Sequence, residues 1–181
     1  MPASPETQTP IDTAAAHRIR LLALDVDGIL SDGRLYYDDD GRELKAFHVR
    51  DGLGIKMLQR SGVTVAIITG RSSPMVDRRA REIGIKHVVQ GREDKAAALV
   101  ELTGELAVAM SDCAYMGDDL PDLAALRAAG LALTVADAVP EVRAVAQWQS
   151  SLPGGAGAVR EACEALLKAR GQWAARVAEL P

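Results

Sequence analysis

Aromatic residues are nearly missing from this 181-residue chain: they make up 3%, although 48% of residues are hydrophobic. The core must be built from Ala, Val, Leu and Ile, which suits an α/β protein with closely packed helices and strands. Cysteine is scarce too. Cys113 and Cys163 offer neither a disulfide framework nor a metal-binding spacing, and each reads as a small buried apolar residue. No apolar run approaches the roughly 18 residues of a membrane span. Neither sign of charge dominates, the formal net charge being -4. A mildly acidic chain has no electrostatic footprint for nucleic acid or an anionic membrane, so an anionic substrate must be held by a local site. Residues 1–18 contain Glu6 and Asp12, turn formers and no continuous apolar stretch. They read as a disordered leader, not a signal peptide. These absences predict a soluble cytoplasmic protein with no nucleic-acid or membrane partner, and the length suits one domain.

Present instead is an alternation of apolar strand-like runs and helix-like stretches. The spacing predicts strands over Leu21–Val26, Val63–Ile68, His87–Val89, Cys113–Met116 and Leu131–Val135. Helical spacing falls on Leu53–Arg60, Ser73–Ile83, Asp94–Leu102, Leu120–Ala129 and Ala158–Ala169. Gly62, Gly84 and Gly130 follow three of these helices, where left-handed caps are expected. Such alternation predicts a doubly wound parallel sheet, with ligands bound beyond the carboxyl ends of its strands. Residues 19–170 are expected to form the domain and 171–181 a C-terminal tail. Residues 33–47 interrupt the alternation with two strand-like arms around Asp38-Asp39-Asp40-Gly41, a hairpin signal. Two of the three tyrosines and the single Phe lie there. An apolar hairpin projecting from a small domain suggests an oligomer contact; the plainer alternative is a flap packed on its own domain.

Four constellations stand at or just beyond predicted strand ends: Asp25 and Asp27 in Asp25-Val26-Asp27-Gly28; Thr69-Gly70-Arg71-Ser72-Ser73; Lys95; and Gly117-Asp118-Asp119-Leu120-Pro121-Asp122. A strand tip has no structural use for two like charges, which repel and cost desolvation. A hard divalent cation prefers carboxylate oxygens, which Asp25 and Asp118 can supply. The Thr69 hydroxyl, amides at a helix start and the Lys95 ammonium make an anion cradle. One carboxylate beside that cradle can attack phosphorus; a second, two residues on, can act as acid and then as base. Alone, each signal has a bland explanation: a chance acidic pair, a helix cap at Ser72 or Ser73, a cap cluster at Asp118-Asp119, a solvated lysine. The ordered combination is far more specific.

That order, DVDG, TGR, Lys and GDD, resembles the haloacid dehalogenase superfamily of phosphohydrolases. More closely, DVDGILSDGRLYY, LKAFHVRDGLGIKMLQRSG, VAIITGRSSPMVDRRAREIGI, YMGDDLPDL, VADAVPEV and PGGAGAVRE resemble its KDO 8-phosphate phosphatase family. The resemblance implies a Rossmann-like core with a projecting hairpin and no large cap domain. It implies a Mg²⁺-dependent phosphatase acting through an aspartyl-phosphate, in lipopolysaccharide inner-core synthesis. Asp25 would be nucleophile and metal ligand. Asp27 would be the acid/base, with its backbone carbonyl on the metal. Thr69 and Lys95 would hold the phosphoryl group, and Asp118 would complete the metal site with support from Asp119 and Asp122. His48, Val49, Arg50, Asp51 and Gly52, with Lys56, Arg71 and Arg79, match positions contacting the sugar acid or its phosphate, as do Asp27 and Lys95. Arg50 and Arg71 suit bidentate recognition of carboxylate or phosphate, whereas Lys56 and Arg79 read equally as exposed helix charges. The family also implies a homotetramer in which neighbouring subunits close each site. Its pattern places basic residues beside the glycines of the C-terminal turn; here Leu152 and Ala156 stand there, so that turn carries no such charge. Competing readings are a phosphatase for a nine-carbon acidic sugar phosphate of the sialic acid type and a non-catalytic oligomerisation module. A receiver-type regulatory domain is a third, but receivers place the phosphorylated Asp later in the chain.

Overall fold

A computed structural model describes residues 10–180. In chain order the elements are α1 (Thr13–Arg18), β1 (Leu21–Leu24), β2 (Tyr36–Tyr37), β3 (Glu43–Leu44), α2 (Val49–Arg60), β4 (Thr64–Ile68), α3 (Pro74–Ile83), β5 (His87–Val89) and α4 (Lys95–Glu105). There follow β6 (Cys113–Met116), α5 (Leu123–Ala128), β7 (Leu131–Thr134), α6 (Pro140–Val145), β8 (Trp148–Gln149), α7 (Ala158–Ala169) and α8 (Trp173–Ala178).

Six strands form one parallel sheet in the order β5-β4-β1-β6-β7-β8, flanked by helices. The Rossmann-like α/β fold is therefore as the alternation predicts, with a separate antiparallel pair β2-β3 and no large cap domain among the described residues. Strand β1 is central, with Leu21 beside Thr64 on one side and Cys113 on the other. The chain fills the sheet outward from β1 in one direction and then in the other. The carboxyl end of β1 is thus the point where strand order reverses and a crevice opens.

The core is aliphatic, as composition requires: β1, β6 and β7 are buried along their whole length. Both faces of these strands are covered, so their residues run apolar instead of alternating, except Thr134 at the tip of β7, whose hydroxyl donates to the Gly117 carbonyl at 2.7 Å. Tyr115 in β6 is the largest fully buried side chain. Helices α1, α2 and α7 pack together, as do α4, α5 and α6.

Differences from the sequence reading have local causes. Thr13–Arg18 are helical, whereas the leader was expected to lack structure through residue 18; Asp12 caps α1 by accepting from the Ala15 amide at 2.7 Å. Arg170 holds the helix end, its Nη1 donating to the carbonyls of Ala16 and Ile19 at 3.0 and 2.8 Å. The expectation for residues 1–9 lies outside the described residues. Helix α2 starts at Val49, before the expected Leu53, because His48 serves as N-cap and accepts from the Arg50 amide. Gly62 and Gly84 adopt the left-handed conformation, but Gly130 does not. There a Cβ would come within 2.1 Å of the Ser111 carbonyl oxygen, so close backbone approach requires that glycine.

Candidate phosphoryl-transfer site

At the carboxyl edge, β1 delivers Asp25 and Asp27, β4 delivers Thr69, the start of α4 delivers Lys95, and the loop after β6 delivers Asp118, Asp119 and Asp122. These residues, with Arg71, line one cleft of about 600 Å³. The four constellations do converge.

Burial sets the electrostatics. Lys95 Nζ lies 3.0 Å from Asp25 Oδ1 and donates to Asp122 Oδ1 at 2.8 Å. Burial works against the Lys95 charge, but the Asp25 and Asp122 carboxylates overcome it and raise its pKa. Asp25 is pushed up to about 7, by burial first and then by the Asp122 charge, against the pull of Lys95. Asp118 is likewise pushed up to about 7 by burial and by the charges of Asp122 and Asp25. Carboxylates brought together against such penalties call for a compensating cation.

Asp122 organises the loop. It is 0% exposed and receives four donors, two on each oxygen. Lys95 Nζ and Tyr115 OH approach Oδ1, both at 2.8 Å; the amides of Asp118 and Asp119 approach Oδ2 at 3.1 and 3.3 Å. Asp119 in turn accepts from the Leu120 amide and closes a reciprocal cap with Asp122. Carboxylate oxygens of Asp25, Asp118 and Asp122 lie within 4.8 Å of one another. Since both oxygens of Asp122 are engaged, Asp25 and Asp118 are the carboxylates left to hold a divalent cation. Their fit to one is supported by Asp118 Oδ1, which is buried and accepts no hydrogen bond. An all-oxygen anionic set is also the donor chemistry of Mg²⁺. Gly28 makes room for this arrangement: its φ is +86°, and a Cβ there would meet Asp118 Oδ2 at 2.0 Å.

A family model described as haloacid dehalogenase-like hydrolase matches residues 48–130. The 3-deoxy-D-manno-octulosonate 8-phosphate phosphatase KdsC of Escherichia coli (strain K12) is 48% identical over 159 residues, spanning 88% of this chain and 85% of the relative. The chain belongs to the 3-deoxy-D-manno-octulosonate (KDO) 8-phosphate phosphatase family. The family's enzyme from Moraxella catarrhalis, solved with a magnesium ion, a phosphate ion and KDO, superposes with a TM-score of 0.90 at 53% identity. That match covers 92% of this chain and 95% of the other. The cobalt-bound KDO 8-phosphate phosphatase of Haemophilus influenzae gives a TM-score of 0.87 at 39% identity, covering 91% and 99%.

The residues matched to sugar contacts of the KDO 8-phosphate phosphatase family separate into two sets. Asp27, Arg71 and Lys95 line the cleft; His48 to Gly52, Lys56 and Arg79 do not. Val49 is 80% exposed, on a face turned away from the chain's own core. Arg79 donates from Nη2 to the His48 carbonyl at 3.3 Å and sits over the Phe47 ring, so it braces the start of α2. Asp51 is 2% exposed, and its Oδ1 accepts from the Arg160 amide at 2.7 Å, tying α2 to the first turn of α7. Burial raises its pKa.

Three site residues escaped sequence reasoning. Tyr115 is hidden inside an apolar strand, yet it donates to Asp122. Glu43 and Lys45 belong to the hairpin, where the sequence reading gives them no role. In the fold Lys45 Nζ donates to Asp27 Oδ1 at 2.5 Å and lies 3.2 Å from Glu43 Oε1. Arg71 Nη2 donates to the same Glu43 oxygen at 3.0 Å, with Nε 3.8 Å from Asp27 Oδ2. The available signal was alternation in β3: Leu44 points outward at 56% exposure, which sends its neighbours Glu43 and Lys45 inward.

Proposed function

We propose that this chain is a Mg²⁺-dependent phosphatase that hydrolyses KDO 8-phosphate to KDO and inorganic phosphate, supplying lipopolysaccharide inner-core synthesis. The observation that carries the reading is the convergence of Asp25, Asp27, Thr69, Lys95 and Asp118 in one cleft, in a chain of this family.

Asp25 attacks the phosphorus while the bond to the sugar oxygen breaks, giving an aspartyl-phosphate. Asp27 gives its proton to the departing oxygen and later takes one from the water that releases phosphate. Lys95 and the Thr69 hydroxyl stabilise the phosphoryl oxygens. The Asp25 and Asp118 carboxylates and the Asp27 backbone carbonyl would hold Mg²⁺, with Asp119 and Asp122 as support. When bound, the ion neutralises charge that otherwise keeps a carboxylate from a phosphate dianion. Arg71 offers a guanidinium to the substrate carboxylate.

The remaining substrate contacts come from a second copy. His48 to Gly52, Lys56 and Arg79 are displaced from their own cleft, and exposed Leu35, Tyr36, Tyr37 and Leu44 give the hairpin an apolar exterior. Both features support a homotetramer whose subunits complete one another's sites, and we place it in the cytoplasm. The described part of the C-terminal tail carries α8, which packs on α7.

The test is phosphate release with Mg²⁺ over a panel of sugar phosphates, together with sedimentation of the purified protein. KDO 8-phosphate is expected to be turned over best, by a tetramer, and Asp25→Asn to abolish turnover while leaving the fold intact. Preference for a nine-carbon acidic sugar phosphate would replace the substrate; near-normal activity of Asp25→Asn would sink the mechanism.

A further inference from the structure

The hairpin does more than present an apolar exterior. Just after β3 it inserts Lys45, whose side chain is 1% exposed, and the ammonium is spent on one oxygen of Asp27. Ser31, itself buried, reaches the same Oδ1 with its hydroxyl at 3.3 Å. Oδ1 is therefore held from two sides, while Oδ2 faces Arg71 of the cleft at 3.8 Å. Glu43 bridges Lys45 and Arg71 through one oxygen, at 3.2 and 3.0 Å. The four charged groups form a chain, Asp27, Lys45, Glu43 and Arg71, that joins the cleft to the hairpin. A buried cation with two carboxylate partners has no role in packing that a methionine could not fill.

We propose that Lys45 is a positioning residue for proton transfer: by fixing Asp27 Oδ1 it presents Oδ2 to the leaving oxygen of the substrate. The inference rests on the reading of Asp27 as acid and base. In the first step the Asp25–phosphorus bond forms, the bond from phosphorus to the leaving oxygen breaks, and the proton passes from Asp27 Oδ2 to that oxygen. The Lys45 ammonium then faces the carboxylate left behind. In the second step water supplies the oxygen to phosphorus, its proton goes to Asp27, and the Asp25–phosphorus bond breaks. Glu43 orients Lys45 and holds Arg71 at the cleft mouth until a substrate carboxylate competes for the guanidinium. Hairpin placement thereby becomes a condition for acid catalysis.

A leaving group that needs no proton separates this role from a merely structural one. An alkyl phosphate requires protonation of its oxygen as the bond breaks; p-nitrophenyl phosphate does not. Since kcat/KM reports the steps up to the first irreversible one, it isolates transfer to Asp25. General acid catalysis contributes about 10²–10⁴-fold. We therefore expect Lys45→Met to lower kcat/KM for KDO 8-phosphate at least tenfold more than for p-nitrophenyl phosphate. Lys45→Arg should restore most of the difference, because a guanidinium can still donate to Oδ1. Circular dichroism and urea unfolding of both variants check the fold. Equal losses on the two substrates, or no loss on either, overturn the proposal. A Lys45→Met protein that unfolds is replaced by Glu43→Gln, for which the same bias toward the alkyl substrate is expected and its absence is equally fatal. Failure of the phosphatase reading looks different: wild type then releases no phosphate from any alkyl phosphate, and the inference falls with it.

Discussion

Replacing Asp122 with Asn preserves shape and removes charge, so it tests whether that residue organises the site. All four groups around Asp122 are donors, two per oxygen. An amide has one accepting oxygen and one donating nitrogen. Backbone amides cannot reverse, so the Asn oxygen is expected to stay with Asp118 and Asp119, turning its NH₂ toward Lys95 and Tyr115. The tyrosine hydroxyl can rotate to accept; the ammonium cannot. Lys95 is left with Asp25 alone, at 3.0 Å. Breaking a buried ion pair outright costs about 3–5 kcal/mol. The surviving partner and the relief of repulsion on Asp25 and Asp118 offset part of that. A net loss of about 2 kcal/mol follows, which for a chain of this size lowers Tm by roughly 4–8 °C. Lys95 drawn fully onto Asp25 blocks the nucleophile and leaves the phosphoryl oxygens, so kcat should fall about 10²-fold, or about 2.7 kcal/mol. Urea unfolding and steady-state phosphate release measure the two effects. A variant within about 0.5 kcal/mol of wild type, with unchanged kcat, would refute the reasoning.

Removing Mg²⁺ should make stability depend on pH in a definite direction. Asp25 and Asp118 have folded pKa values near 7, above the ordinary carboxylate value of 3.8, so the folded state binds protons more tightly than the unfolded state. The metal-free protein should thus gain stability as pH falls from about 8 to 5. Mg²⁺ should raise Tm more at pH 8 than at pH 5.5, where protons compete for the same oxygens; scanning calorimetry with and without chelator reads both. Gly28→Ala forces a side chain into left-handed backbone and onto Asp118; we expect a loss of about 1–3 kcal/mol, with weaker Mg²⁺ binding by titration calorimetry. Both thiols are buried, and burial pushes Cys113 up to about 12 and raises Cys163 further. Ellman's reagent should label neither in the native protein and both in urea, without inhibiting the enzyme beforehand.

Much of the site was legible because its residues interrupt apolar runs. A carboxylate after Leu21–Leu24, a threonine after Thr64–Ile68 and a Gly-Asp-Asp after Cys113–Met116 mark strand ends without any knowledge of packing. Lys95 was legible as the first residue of a helix that Asp94 caps. What stayed hidden depends on distant partners. Helix α1 is held by Arg170, and Asp51 finds its hydrogen bond on Arg160; neither pairing leaves a local trace. Strand β8 has two residues, too few for periodicity to register. Glu43 and Lys45 sit among five other charged hairpin residues, and only the pleat of a two-residue strand separates inward from outward.

The short turn after β8 has a consequence for synthesis of the chain. Gly155 donates its amide to the Ile29 carbonyl at 3.0 Å, and a Cβ on Gly154 would strike the Gly28 carbonyl oxygen. The loop that follows the nucleophile therefore receives a backbone partner from residues translated well over a hundred positions later. A nascent chain still short of that turn holds Asp25, Asp27 and Asp118, yet lacks the backbone partner that the Ile29 carbonyl has in the finished fold.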